Sequence, residues 1–587
     1  MCTQDLNPFY YIDISPATAA KPPNSTRVFD KSSAGTISLI VATTILAVLL
    51  TGFLKLLEEK SPYPLANPPG WFQTRMSKQI EFLRHGLEVF EKAKKIYGDN
   101  PYRLITEQGE VLVLPPSYGH KIRNEKDLSF ELTLLEDFNG HLQGFEPIDF
   151  LCHDKQIIQT VVRKQLTKYL NTVTEPISSE CTFAVRSIFG TEPEWKEICI
   201  KDATLDLIAR VSSRVFLGEE LCRNPEWIGL TKEYTANAFS AGLRMSLVPK
   251  YLVRVYSWFS ADARVVRKNS KDSRRILTPV VEKRKAIKAQ AQREGLSIKP
   301  FEDALEWAEL ESQGAAFDMG ALQLLMSFAA IHTTTDLLTQ TLIRLANQPE
   351  LIERLREEII NVIRVESFNK GALFNMKLLD SALKETQRVK PNGLLLMRRM
   401  AMQRIALPDG LVVLKGERVT VDASNMTDPQ IYEDPEKYDI ERYARMRDNP
   451  ETANKAHLVS TGVDNLTFGH GIHACPGRFF AANEMKIALC HLFLKYDWKL
   501  APGTSLKPVS TVGVLTTLDP KIRLIPCFDV NAWHRTSGYH LVLSVQGLMF
   551  YFSRIAGGVS NYCSVADSFL YVLFPYQSLI DLLLLLL

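Results

Sequence analysis

One segment concentrates residue types able to do chemistry. From Phe468 to Gly477 the chain reads FGHGIHACPG, and RFFAANEMKIALCHLFLKY follows. Cys475 stands just before an amphipathic helix, on which Phe480, Met485, Leu489, Leu492 and Phe493 fall roughly on one side. A thiolate at a helix N-terminus is stabilised by backbone N–H groups and by the helix dipole. Pro476 falls in the first turn, where a missing N–H costs nothing. Gly469, Gly471 and Gly477 let the backbone turn tightly and approach a flat ligand closely. His470 and His473 bracket the loop with groups able to meet an anion. A large planar cofactor with a metal centre and carboxylate arms suits this arrangement. The alternative is an ordinary Gly-rich turn around a buried structural cysteine, and loop physics alone does not separate the two.

Two further clusters are less specific by themselves. Glu385 and Arg388 lie in MKLLDSALKETQRVKP, a helical stretch, and residues three apart share a face, so carboxylate and guanidinium can meet. A surface ion pair of that kind is worth little. Ala329-Ala330-Ile331-His332-Thr333-Thr334 sits in the apolar run GALQLLMSFAAIHTTTDLLTQTLIRLA. Three consecutive threonines disfavour a helix interior, and a local rule broken in a helix core is often a functional site. Threonines back-bonded to carbonyls in a packed helix are the plainer reading.

The segment from Phe468 closely resembles the haem-binding signature of cytochromes P450: Phe, two residues, Gly, one residue, a basic residue, one residue, Cys, one residue, Gly. Phe468, Gly471, His473, Cys475 and Gly477 take those places. The resemblance implies haem b, with Cys475 as the thiolate ligand of its iron and the other four residues around the cofactor. Where Arg is usual the chain has His473, which can hydrogen-bond a haem propionate with a charge that depends on pH. Cysteine ligation pushes electron density onto the iron and favours O–O cleavage. Glu385 and Arg388 then look like the family's ExxR motif. Arg442, in the meander-like Tyr438-Asp439-Ile440-Glu441-Arg442-Tyr443, takes its third place. A buried Glu–Arg–Arg cluster satisfies its charges bidentately, and its implied role is folding and haem retention. The AAIHTT stretch resembles the oxygen-activation motif, with Ala330 in place of Gly and His332 in place of the acid. By that match Thr333 is the hydroxyl that helps deliver protons to dioxygen, and His332 is a neutral relay. Fungal members acting on terpenoids often read AxIHTT here. Arg398, in LLLMRRMAM, matches the position whose Arg grips a propionate. Arg163, in IIQTVVRKQL, falls in the helix that usually supplies a Trp and an Arg, with Gln159 where Trp is usual. For both arginines, solvated surface charge is the alternative.

These residues need a scaffold, and the rest of the 587-residue chain supplies one. Apolar residues make up 46% of it, enough for a large core, and the formal net charge is only +3. No basic face or cluster of Lys and Arg points to nucleic acid. The nine cysteines form no CxxC pair or zinc spacing and fit a reducing compartment. Residues 1–34 are polar. Residues 35–54, GTISLIVATTILAVLLTGFL, carry no charge, and at ~1.5 Å rise they span about 30 Å, one hydrocarbon core. The leader before them and their length favour a transmembrane signal anchor over a signal peptide. Flanking charge does not set orientation. A lumenal N-terminus would make Asn24 a glycosylation sequon.

Residues 55–70 hold four prolines and read as an extended hinge. From 71 to 526 helical periodicity dominates, with short strands over 102–114, near 411–421 and near 522–525. The fold class expected is mainly α, the cytochrome P450 fold with small β-sheets, plus one N-terminal transmembrane helix. Residues 527–587 are apolar without a clear period. They read as sequence that does not belong to the fold rather than as a second membrane contact.

The resemblance covers about residues 68–526. It implies a monooxygenase that inserts one oxygen atom of dioxygen (O2) into a C–H bond of a hydrophobic small-molecule substrate. Electrons would come from NADPH through NADPH-cytochrome P450 reductase. Anchor and hinge imply contact with membrane lipid and a catalytic domain on the cytoplasmic face of the endoplasmic reticulum. The FGHGIHACPGRFFAANE wording is most like fungal secondary-metabolism enzymes, which suggests a terpenoid substrate. The rivals are a haem-thiolate isomerase or dehydratase needing no reductase, and a catalytically inactive haem protein.

Overall fold

The computed structural model describes residues 42–43, 59–504, 509–511, 514–516 and 521–526. The backbone divides into two units, Met1–Pro526 and Cys527–Leu587, and all described residues belong to the first. The sequon at Asn24, the expected anchor over 35–54 apart from residues 42–43, and the tail 527–587 lie outside the described residues. Among the described residues no helix is long and apolar enough to cross a membrane.

The fold is mainly helical, as expected. Helix α1 (Arg75–Tyr97) opens with a capping box between Thr74 and Ser77 and ends at Gly98, at φ +56°. Next come α2 (Phe130–Asp137), α3 (Leu170–Phe189), α4 (Ile200–Phe216), α5 (Pro225–Ser246), α6 (Lys250–Phe259) and α7 (Ala261–Arg293). They are followed by α8 (Met319–Ala346), α9 (Pro349–Glu366), α10 (Lys377–Val389), α11 (Arg442–Asp448) and α12 (Arg478–Lys495). Helix α10 stops at Lys390 because Pro391 has no N–H to continue the ladder.

Helix α8 is the axis of the core. Asp318 caps it, accepting from the Ala321 N–H at 3.0 Å. It packs against α4, α5, α7, α10 and α12. Leu338 and Leu342 are buried in one apolar cluster with Leu207, Ile208 and Val211 of α4. Truncating either leucine to Ala would cost about 2–5 kcal/mol in transfer and cavity terms.

Strands are few. One sheet joins β1 (Tyr102–Thr106), β2 (Gly109–Leu114), β3 (Leu128–Ser129), β5 (Leu395–Ala401) and β6 (Arg418–Asp422) in the order β1-β2-β6-β5-β3. β2 and β6 are parallel, and its other pairs are antiparallel. A second sheet pairs β8 (Lys521–Pro526) with β4 (Lys196–Cys199) and β7 (Tyr496–Leu500), both antiparallel. The single strand expected near 411–421 is two, Val412–Val413 and β6, because the chain turns through Gly416 at φ +77°. The hinge is also shorter than expected. Arg103 exchanges backbone hydrogen bonds with Pro64 and Ala66, both at 2.8 Å, and Asn67 brackets Ile105 with two more at 2.9 Å. Prolines are tolerated on such an edge because no ladder N–H is needed from them.

Candidate active site

The cysteine loop is folded by its own glycines. Gly469 and Gly471 lie at φ +67° and +77°, where L side chains are strained. A Cβ on Gly471 would stand 2.2 Å from the Arg123 carbonyl oxygen, which also accepts the Ile472 N–H at 3.1 Å. Only glycine admits that approach. The Cys475 N–H donates to the Phe468 carbonyl at 2.7 Å, and the Arg478 guanidinium donates to the Cys475 carbonyl at 2.7 Å. Gly477 sits at the start of α12 with ordinary φ; its N–H and that of Arg478 are directed at the thiol. Burial pushes the Cys475 thiol up from its ordinary value, while these N–H groups and the Arg478 charge pull it down. Such a thiol gives up its proton when a metal binds. Cys475 lies deep in the protein yet keeps part of its surface accessible.

Helix α8 supplies a second accessible face. It is buried along most of its length, but Ala329, Ala330 and Thr333 keep accessible surface at mid-helix. These positions share one side of the helix. The Thr333 hydroxyl donates to the Ala329 carbonyl at 2.9 Å, leaving its lone pairs free. His332 points elsewhere. Its imidazole is bonded to the Lys232 backbone carbonyl on α5, and its Nε2 is buried without a partner. Burial, with Lys201 and Lys232 nearby, lowers its pKa to about 4, so it is neutral at neutral pH. No contact joins it to the Thr333 hydroxyl among the described residues.

The basic side chains divide sharply. His473 Nδ1 lies 3.7 Å from Glu131 Oε1, while its Nε2 is buried and unpartnered. Burial raises the Glu131 carboxyl, but His473, the residue's own backbone N–H and Ser129 outweigh it and leave it at about 2. Arg398, the expected propionate grip, is taken by Asp137, with Nη2 2.7 Å from Oδ2; Arg418 holds the other oxygen at 2.9 Å. Both contacts are ion pairs by distance that lie off the hydrogen-bond direction. The neighbour, Arg399, is 3% exposed, and its Nη2 has no partner. Burial lowers its pKa to about 10, so it stays a cation. A bulge takes in Arg398 and leaves Arg399 paired: the β5 register shifts between Leu396 and Arg399, and Met397 sits at φ +51°. Arg163 donates to the Ile472 carbonyl at 3.3 Å from a π-helical turn over Val161–Leu166.

A guanidinium and an imidazole that each keep one buried nitrogen unpartnered, with a partly accessible thiol and an accessible hydroxyl, fit a planar metal cofactor with anionic arms. His473 and Arg399 would hold the arms and Cys475 the metal. Phe468 contributes its carbonyl to the Cys475 turn, and Gly471 and Gly477 contribute conformation and an N–H.

The motif triad is fully assembled. Arg388 binds Glu385 bidentately at 2.7 and 2.8 Å, and neither side chain has exposed surface. Arg442 Nε reaches both Glu385 oxygens at 3.2 Å. Remaining donors go to carbonyls: Arg388 to Met426 and Pro435 at 3.0 and 2.7 Å, Arg442 to Glu433 at 2.6 Å. One stabilising group escaped sequence reading. Lys384, on α10, donates to the carbonyls of Lys455, His457 and Ser460 at 2.7, 2.6 and 3.2 Å. Only its position one residue before Glu385 hinted at it.

Comparison with known proteins agrees with this geometry. The sequence model of the cytochrome P450 family matches residues 146–526. Cytochrome P450 monooxygenase hepE of Aspergillus oryzae is 42% identical over 487 residues, 82% of this chain and 89% of that protein. Cytochrome P450 monooxygenase eqxH of Fusarium heterosporum is 41% identical over 477 residues, 80% and 91% of the two chains. The solved structure of retinoic-acid-bound cyanobacterial CYP120A1 shares the fold, with TM-score 0.57 at 20% identity over 79% of this chain and all of that one. A cysteine loop, a threonine face and a buried Glu–Arg–Arg cluster, with these relatives spanning most of the chain, establish that it belongs to the cytochrome P450 family and is a haem-thiolate monooxygenase.

Proposed function

We propose that this enzyme oxidises a hydrophobic small molecule, a terpenoid of the diterpenoid, indole-diterpene or meroterpenoid kind, in fungal secondary metabolism. When bound, thiolate-ligated haem supplies activation of dioxygen. One oxygen atom enters a C–H bond and the other leaves as water, with two electrons and two protons consumed. The electrons come from NADPH through NADPH-cytochrome P450 reductase. The chain's own residues do the rest. Cys475 is presented by the glycine turn and by two N–H groups at the start of α12. His473 and Arg399 hold the haem carboxylates, with Arg399 replacing Arg398 in that role. Thr333 keeps an accessible hydroxyl, which accepts and passes a proton. His332, neutral and bonded to Lys232, holds that stretch of α8 in place.

The observation that carries the reading is Thr333, an accessible hydroxyl at the middle of a buried helix. An isomerase or dehydratase has no use for it, and such an enzyme would turn over without NADPH. Support for an uncharged substrate comes from the face that Thr333 shares with Ala329 and Ala330, which carries no charge.

Membrane attachment on the cytoplasmic face of the endoplasmic reticulum is part of this proposal. It is supported by the uncharged run over 35–54. It is supported also by α6, where Tyr251, Leu252, Val255, Trp258 and Phe259 are all exposed. A contiguous apolar surface of this kind marks an interaction site.

The test is the carbon monoxide difference spectrum of dithionite-reduced microsomes beside Cys475→Ala, followed by NADPH-dependent conversion of a terpenoid panel. The red-shifted Soret band should be present and be lost in the variant. Its absence from expressed, membrane-bound protein would end the assignment of an active enzyme.

A further inference from the structure

The Glu385–Arg388–Arg442 cluster grips the chain between Met426 and Arg442. The stretch that follows, residues 455–461, is held by a different pair on α10. Lys384 and Asp380 stand one turn apart and are 2% and 4% exposed. Lys384 donates to the carbonyls of Lys455, His457 and Ser460, and its nitrogen lies 5.1 Å over the Tyr443 ring. Asp380 accepts from the Leu458 N–H at 2.8 Å while pairing with Arg447 and Lys486. Three carbonyls take three N–H donors, which an ammonium has and a neutral amine lacks. Burial pulls the Lys384 pKa down to about 7, with Asp380 working against it.

This strap meets the ligand loop on both sides of Cys475. Before the cysteine, His470 Nδ1 lies 3.3 Å from the Thr461 hydroxyl. After it, Arg478 donates from Nε to the Val459 carbonyl at 3.1 Å and from Nη1 to the Cys475 carbonyl at 2.7 Å. A guanidinium is a rigid planar fork, so one end sets the place of the other. A continuous set of contacts therefore runs from Lys384 through the strap and Arg478 to the backbone of Cys475.

We propose that Lys384 is a positioning residue for Cys475: by holding the 455–461 strap it fixes, through Arg478 and His470, where the thiolate stands. Its role is separate from that of Glu385, its neighbour, which anchors an earlier part of the chain. This rests on the reading that Cys475 ligates the haem iron.

The test separates ligand placement from overall stability. The purified, haem-loaded, full-length chain is reduced under carbon monoxide in buffer about one unit below the Lys384 pKa, where the ammonium form dominates. Loss of the red-shifted band is timed on warming, beside the helical circular dichroism signal. Lys384→Met should lose the band roughly ten- to a hundred-fold faster than wild type, the value of one charge-assisted hydrogen bond, while the helical signal holds. Lys384→Gln, which keeps two donors, should fall between. Leu342→Ala, a core truncation elsewhere, should lose band and helical signal together. Arg478→Lys keeps the charge beside Cys475 and removes the fork, so it should also lose the band early. Combined with Lys384→Gln, it should be within about two-fold of the faster single variant, because both cut one route. Band loss only as the helices melt, in Lys384→Met or in Lys384→Gln if the former does not load haem, overturns the proposal. So does a double variant whose rate is the product of the two single effects. A red-shifted band that survives Cys475→Ala would instead overturn the ligand reading beneath it.

Discussion

Arg398 and Arg399 are adjacent, yet the structure gives them opposite environments, and that difference is measurable. Removing Arg399 should do two things at once. A charge-assisted hydrogen bond is worth about 1.5–3 kcal/mol, so Arg399→Ala should weaken haem affinity by roughly ten- to a hundred-fold or slightly more. In the haem-free chain the same guanidinium is a buried cation with one nitrogen unpaired. Deleting it there removes a desolvation penalty of about 1–3 kcal/mol, so the haem-free variant should melt higher than the haem-free wild type. Arg398→Ala should behave differently. It leaves Asp137 with Arg418 as its remaining ion-pair partner, which lowers stability with and without haem and leaves haem affinity within about two-fold, the span of a surface-level change. The assay is haem transfer to excess apomyoglobin, read in the Soret band, with thermal melts of both forms. Haem loss accelerated by Arg398→Ala and not by Arg399→Ala would refute the assignment. So would a haem-free Arg399→Ala chain less stable than wild type.

The remaining expectations can be checked in the same preparations. Glu385→Ala should strand two buried guanidiniums and cost about 3–5 kcal/mol; the carbon monoxide band should vanish or melt far below wild type. Thr333→Ala should retain that band, while product per NADPH falls about a hundred-fold and hydrogen peroxide rises; undiminished product would exclude Thr333 from proton delivery. His332 has a folded pKa of about 4, below its ordinary 6.5. The neutral form is favoured in the fold, so its contribution is complete above about pH 6.5 and is lost as pH falls toward 4. At about 1.36 kcal/mol per unit this amounts to roughly 3 kcal/mol. Over that range the wild type should lose stability relative to His332→Leu as pH falls, read from thermal melts, and parallel curves would show that the imidazole is not buried neutral.

Several features could be read from sequence because their physics is local. A turn through positive φ needs glycine, so Gly469 and Gly471 announced the loop, and its resemblance to the family signature gave Cys475 its chemistry. Glu385 and Arg388 were joined by helical spacing. The accessible face of α8 was hinted at by threonines where a packed helix would avoid them. The ion pair between Arg398 and Asp137 was not legible in the sequence. A twin arginine in a strand does not reveal which side faces inward, and the Met397 bulge changes the answer by one residue. The Pro-rich hinge looked free because its partner, β1, lies some forty residues on.

What the sequence by itself determined was therefore the ligand loop and the helical frame, each encoded within one turn or one helix, while the identity of the chemistry came from the resemblance of that loop to the family's signature. Tertiary structure alone decided which cation is left unpaired beside the site, where His332 turns, and how Lys384 and Arg478 meet the strap over 455–461. Burial, ion pairing and hydrogen bonding between distant segments depend on packing that no local pattern of residues carries.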